Sequence, residues 1–282
     1  MSKTACTALL AYVYDHWSER HDNVRYSKKL WHLVDVAKQD KQSALCFVVE
    51  NLRSTDAKNG TAAALLAGQI CNPVEKEDEE NAQIITSKVL DLLEHVPYPT
   101  KLNLVRALDK LVPCSELTKC VLAMTYDSNN AIKTAAVISL VGIIGNEPGD
   151  NEVVLRLNEL TTDVDSEVRE WSTFGLVTCT ELSEGDQQTI RDALFARIND
   201  RHLDTRAEAF MGLALSGDDR GVEPLRRYLS AGKRIGKLNI EAAHAYGRSE
   251  LYEPLLEISK WWDVDKHLLS QAVAACKPNS PS

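Results

Sequence analysis

A helical face carrying two very small residues recurs along this 282-residue chain. In DVDSEVREWSTFGL, residues 163–176, Val168, Trp171, Ser172, Gly175 and Leu176 fall at i, i+3, i+4, i+7 and i+8, one face of a helix. Asp165 and Ser166 stand just before it, where a side-chain oxygen can cap free backbone N–H groups. Ser172 and Gly175 bury little, so an isolated helix would gain little from such a face. The pattern returns, however. Aligning Val168-Arg169 with Thr205-Arg206 places Ser172 on Ala209, Gly175 on Gly212 and Leu176 on Leu213. Upstream, Ile132-Lys133 takes the same place, followed by Ala136, Ser139 and Leu140. Thr100-Lys101 does so again, with Leu104, Ala107 and Leu108. Looser copies begin near Lys58 (KNGTAAALLAG) and Lys237 (KLNIEAAHAYG). VEPL at 222–225 and YEPL at 252–255 repeat the second helix of the unit. Self-similarity at a period of roughly 30–43 residues marks a stacked array. The small residues let neighbouring helices approach, and each unit buries its face on the next.

The chain has 13 glycines, 9 prolines and no strand-like alternating segment of any length, so the expected fold class is all-α. Irregular helices are predicted over 4–20, 27–38 and 41–53. Pairs of A and B helices follow at 59–71 and 81–95, 100–112 and 115–126, 129–144 and 151–161, 165–179 and 186–198, 204–216 and 219–231, and 236–247 and 250–261. A final A helix covers 264–276. Turn signals separate them: GNEPGD at 145–150, LSEGD at 182–186 and SGDDRG at 216–221. None is long enough to divide the chain. The unit D-x-x-x-V-R-x-x-A-x-x-A-L-G resembles the HEAT repeat, in the short variety first noted in phycobilin lyases, over residues 55–276. The resemblance implies a right-handed α-solenoid spanning 1–282, with an irregular helical cap at 1–54 and B helices lining the concave face.

Charge and cysteine usage narrow the function. The net charge of −9 argues against bulk nucleic-acid affinity, which needs a basic surface, and suits a basic partner. Seven cysteines, at 6, 46, 71, 114, 120, 179 and 276, are odd in number, irregularly spaced and free of any CxxC. They read as reduced core residues of a reducing compartment, Cys46 in ALCFVV among them. The apolar patch ALLAYVY ends at Asp15 without a small-residue cleavage site, and no run of 18 apolar residues occurs, so neither signal peptide nor membrane span is expected. The localisation this implies is cytoplasmic.

Several constellations stand out, each with a plain structural explanation beside it. Arg169, Arg206 and Lys133 hold equivalent positions, with Asp165, Asp204 and Asn129 before them. They read as an inter-repeat ladder in which each cation meets a neighbouring Asp or a helix-end carbonyl. Glu75, Glu77, Asp78, Glu79 and Glu80 read as a solvated run before a helix N-terminus, where carboxylates complement the dipole. Arg220, Arg226, Arg227, Lys233, Arg234 and Lys237, with Tyr228 interleaved, form the one basic patch. DNA glycosylases built on HEAT-like repeats use such a patch, but they are basic overall. Adjacent helical residues point about 100° apart, so of Trp261 and Trp262 one is expected in the core and the other at a contact surface.

Catalysis finds little support. None of the histidines at 16, 21, 32, 95, 202, 244 and 267 is followed by Glu, as in the iron-binding pairs of the HEAT-repeat enzyme deoxyhypusine hydroxylase. No two share one helix face at metal-ligand spacing. His244, in EAAHAYG, reads as a core histidine. Neither a phosphate-binding Gly-rich loop nor GxSxG is present. The expectation is therefore a non-enzyme without metal or cofactor that binds protein through B helices and B–A turns. The partner-binding candidates are Tyr126, Glu159, Asp163, Tyr228, Glu257, Trp261 and Trp262. In size, acidity and repeat type the chain resembles immunity proteins encoded beside bacterial Rhs and contact-dependent-inhibition toxins. That resemblance implies a basic toxin domain as partner, with a general scaffold or a phycobilin-lyase-like protein as the alternatives.

Overall fold

Every inward slot of the sequence alignment is closed to solvent. Val168, Thr205, Ile132 and Thr100 are buried, as are Ser172, Ala209, Ala136 and Leu104 in the next slot. Gly175, Gly212, Ser139 and Ala107, then Leu176, Leu213, Leu140 and Leu108, complete the pattern. The computed structural model describes residues 2–16, 28–52, 54, 56–70, 79–93, 95–96, 98, 100–108, 111, 114–144, 151–179 and 184–278. Among these no strand occurs.

The helices divide into two compact units, Met1–Asn146 and Glu147–Ser282, with the boundary inside GNEPGD. The first unit contains α1 (Ser2–Asp15), α2 (Lys28–Ala37), α3 (Lys41–Asn51), α4 (Ala57–Ile70), α5 (Glu79–Leu92), α6 (Thr100–Val105), α7 (Ser115–Met124) and α8 (Asn130–Ile144). The A helices form one layer, α4 against α6 and α6 against α8, and α3, α5 and α7 form the other. The predicted helix 4–20 is described as Ser2–Asp15, with 17–27 outside the described residues. The helix predicted over 100–112 ends at Val105, although Ala107, Leu108 and Leu111 remain buried beyond it.

The second unit contains α9 (Asn151–Leu160), α10 (Ser166–Thr178), α11 (Glu184–Arg197), α12 (Leu203–Leu215), α13 (Val222–Ser230), α14 (Lys237–Tyr246), α15 (Tyr252–Ile258) and α16 (Lys266–Ala275). Here α10 packs on α12, α12 on α14 and α14 on α16, while α9 lies against α11 and α13 against α15. One 3-10 turn leads into each of α13 (Asp219–Gly221) and α15 (Ser249–Leu251). Asp165 caps α10 by accepting the Glu167 N–H, and Asp265 caps α16 by accepting that of Leu268.

The need for small residues is visible in atomic distances. A Cβ added to Gly212 would stand 2.7 Å from both Leu194 Cδ1 and Val177 Cγ2. In the corresponding slot of α8, the Ser139 hydroxyl donates to the Val105 carbonyl at 2.6 Å. A small side chain permits the approach, and a hydroxyl can satisfy an orphan carbonyl at the end of the neighbouring helix.

Three inferred core residues lie elsewhere. Cys46 is exposed, because α3 turns Ala44 and Val48 inward instead. His244 is exposed, a 100° step past the buried Ala243. Trp171 is half-buried and meets Phe174 edge-on at 5.8 Å. Cys6, Cys179 and Cys276 are buried, and burial pushes the thiols of Cys179 and Cys276 up to about 11, so both stay protonated and unreactive. Cys71 lies outside the described residues.

Candidate protein-binding surface

Three of the turns joining B to A helices are built on one short motif. An Asp stands two residues before the N-cap and accepts the N-cap N–H: Asp127 from Asn129 at 2.8 Å, Asp163 from Asp165 at 2.9 Å, Asp200 from His202 at 2.9 Å. The motif fixes the turn, and it exposes the residues between the motif Asp and the helix. Val164 is 92% exposed there, and Val264 is 71% exposed before the capping Asp265.

The sequence candidates distribute unevenly over these turns. Tyr126, in the first unit, is 67% exposed. In the second unit Trp261 is 53% exposed, close in sequence to Val264. Trp262 is only 4% exposed and donates from Nε1 to the Ile235 carbonyl at 3.3 Å. It is therefore a core residue rather than a contact residue, tied by that hydrogen bond to the α13–α14 turn. Glu159 and Glu257 are exposed but locally neutralised, by Arg156 at 2.8 Å and Lys260 at 2.6 Å. Asp163 is half-buried and committed to its turn. Tyr228 is half-buried and held at both ends: Arg206 stacks 4.7 Å from its ring centroid, and its hydroxyl donates to the Arg234 carbonyl at 2.7 Å.

The ladder is only partly present. Arg169 grips Asp200 through Nε and Nη2, both at 3.0 Å, and Nη1 donates to the Asp163 carbonyl at 2.9 Å. Burial alone would push the Asp200 carboxyl up, but donors from Arg169 and His202 outweigh it and hold the group below the usual range. Lys101 meets Asp127 at 3.0 Å in the same manner. Arg206 makes neither of the predicted contacts. The basic patch is largely self-neutralised: Arg220 binds Asp218 and Asp192, Arg226 and Arg227 share Glu223, and Lys237 meets Asp265. Of the acidic run, Glu75, Glu77 and Asp78 lie outside the described residues, and Glu79 and Glu80 begin α5.

A row of acids that the sequence reading did not single out crosses the second unit. Glu170 on α10, Glu208 on α12 and Glu241 on α14 are half-buried and close enough, with Asp204, to repel one another. Burial first, then Glu170, Asp204 and Glu241, pushes the Glu208 carboxyl up to about 7. Glu208 and Glu241 have no ion-pair partner among the described residues. Their alignment was hidden because they occupy adjacent rather than identical repeat positions. His202 stands beside the row. Glu170, His202 and Asp204 bring one ligand atom each within 4.8 Å of one another, a grouping that one-helix spacing rules overlook. The two carboxylates face different ring nitrogens, Nδ1 at 3.8 Å and Nε2 at 4.0 Å, so the imidazole bridges them rather than sharing one ion with them. No helix among the described residues is long and apolar enough to cross a membrane.

This geometry agrees with the comparison to solved structures. Escherichia coli YibA matches at a TM-score of 0.66 with 17% identity, over 98% of this chain and 94% of that one. The chain has the fold of an all-α helical-repeat solenoid of HEAT and armadillo type. The karyopherins match over part of their length: Kap121p bound to Ste12p at a TM-score of 0.56 and 13% identity, over 97% of this chain and 32% of that one. Kap95p, in a complex with RanGDP, matches at 0.55 and 15% identity, over 89% and 38%. No protein-family model matches the sequence, and no curated protein matches it. At these identities the likeness speaks for the fold alone.

Proposed function

We propose that the chain is a non-catalytic protein-binding solenoid, and that its partner is a basic toxin domain which it neutralises in the cytoplasm as an immunity protein. One observation carries the preference for a basic partner: three carboxylates from three stacked helices, Glu170, Glu208 and Glu241, repel one another, and Glu208 and Glu241 have no ion-pair partner among the described residues. A Lys or Arg laid across the row would relieve the repulsion, and the net charge of −9 would steer a basic domain toward it. Trp261, in the same unit as the row, supplies exposed aromatic area of the kind that anchors interfaces. A solenoid offers a long surface with little rearrangement on binding. Occlusion of the toxin needs no reactive group on this chain.

The direct test is co-expression with any large secreted toxin's C-terminal domain found encoded beside this gene, read as growth rescue and as a complex on gel filtration. Reversing Glu170, Glu208 and Glu241 together to Lys should slow association and flatten its salt dependence, because charge acts mainly on encounter rate. Failure to rescue growth, with no complex formed, would return the protein to the general scaffold class.

A further inference from the structure

One rung of the inter-repeat ladder lacks its acid. Asp127, Asp163 and Asp200 each stand two residues before an N-cap, and two of them receive the cation of the preceding A helix: Lys101 on Asp127, Arg169 on Asp200. The N-cap of α14 is Gly236, and two residues before it stands Arg234. For Arg206, which occupies on α12 the place of Arg169 on α10, the residue at the position of the carboxylate is therefore a cation. It enters no ion pair among the described residues. Its Nε, the atom with which Arg169 holds Asp200, is buried without a hydrogen-bond partner.

Independent features surround the gap. Arg206 is held by the Tyr228 ring rather than released to solvent, and the Tyr228 hydroxyl fastens that ring to the Arg234 carbonyl. Arg234 is the only non-glycine residue among those described with a left-handed backbone, φ 55°. Such a conformation costs energy and persists only where its surroundings impose it. The other nearby cations are engaged by carboxylates of this chain, whereas Lys233 and Arg234 are exposed and enter no ion pair among the described residues.

We propose that Arg206, with Arg234 and Lys233, receives an Asp or Glu side chain of a partner protein laid over the turn 231–236, which completes the rung in trans. An arginine braced on an aromatic ring presents its donors in a fixed fork that suits a carboxylate, and two further cations add attraction. The assignment rests on the reading that this chain binds protein. It adds a point of opposite sign to a predominantly acidic surface, and so fixes the register of the partner as well as its charge.

The test uses the full chain and a capped hexaglutamate peptide, titrated by calorimetry at low salt, with inorganic phosphate as a second probe. Hexaglutamate should bind, Arg206→Gln should weaken it roughly tenfold, the size of one charge-assisted pair, and Arg234→Asp should abolish it by supplying the acid in cis. Arg227→Gln should leave binding unchanged, because Arg227 already serves Glu223. Unaltered binding by both Arg206→Gln and Arg234→Asp, or no binding by the native chain, overturns the proposal. Phosphate binding as tightly as hexaglutamate, with the same loss on substitution, overturns the choice of a carboxylate. Should Arg206→Gln fail to fold, the exposed Arg234→Asp decides alone. No toxin domain takes part, so failure here leaves a complex with a basic domain standing, and failure of that complex leaves this result intact.

Discussion

The turns at 198–202 and 231–236 both lead from a B helix into an A helix of the second unit, and their electrostatics are opposite. In the first, the Asp200 side chain is 5% exposed, accepts the His202 N–H and takes two donors of the Arg169 fork. In the second, Arg234 occupies the acid's position in a left-handed conformation, and Arg206 rests on Tyr228. Apolar burial accompanies both turns, since Leu176, Leu213 and Ile240 are all buried. Burial thus sets the repeat, whereas the turn decides whether the rung closes within the chain or stays open to a partner.

The largest test of that contrast is Asp200→Ala against Arg206→Ala. Removing Asp200 leaves Arg169 and Arg197 without their carboxylate and frees the turn, which should cost about 3 kcal/mol in a denaturant titration. Arg206→Ala breaks no pair and should cost less than about 1 kcal/mol, mostly lost stacking. Equal losses would make the two rungs equivalent. Because the folded Asp200 carboxyl is depressed, its contribution is present above its unfolded value and disappears as pH falls through the folded one. The difference between Asp200→Ala and the native chain should accordingly shrink in strong acid.

A second substitution examines α12, the helix that follows the first turn and carries Arg206. Gly212→Ala places a methyl 2.7 Å from Leu194 and Val177 and should cost about 2 kcal/mol by overpacking α12 against its neighbours. A neutral thermal scan would mean that the stack yields there and that the small residue is not required at this contact.

A smaller effect belongs to Glu208, between the turns. Its carboxyl is raised to about 7, so the folded state holds a proton that the unfolded state has released. Stability from this group therefore falls as pH rises from about 4.5 to 7 and stays lowered above that. Glu208→Gln should stabilise the protein at pH 8 by about 1 kcal/mol, after allowance for partial exposure, and should be neutral below pH 4. The same gain at both pH values would place its origin in packing rather than charge.

The smallest shift is expected from Arg234→Asp. If Arg206 is poised for an acid, the substitution closes the rung and adds about 0.5 kcal/mol, seen as a small rise in melting temperature. A fall would show that the left-handed turn, not the missing acid, governs this position.

How much of this was legible beforehand differs by type of feature. The A-helix slots were legible residue by residue, because a 3.6-residue period and a repeat register each constrain the same positions, as at Ser172 and Ala209. The two Trp residues were legible only as a pair: adjacency required that they diverge, and only the α13–α14 turn, with the Ile235 carbonyl, selected Trp262 for the interior. Cys46 and His244 were misplaced because short apolar surroundings, ALCFVV and EAAHAYG, do not identify the covered face of a helix packed on several sides. The acidic row escaped notice because Glu208 is one position out of register with Glu170 and Glu241, and lateral distance between helices does not follow from position along one.

The sequence by itself determined the all-α class, the pairing of helices and the demand for small residues at their contacts. These follow from local periodicity and from burial, which acts on each repeat alike. Only the tertiary structure decided which charges meet. An ion pair depends on two residues from different repeats lying within a few ångströms, and Arg169 and Arg206, the same residue in the same sequence slot, end with different fates because the turn that follows each one differs.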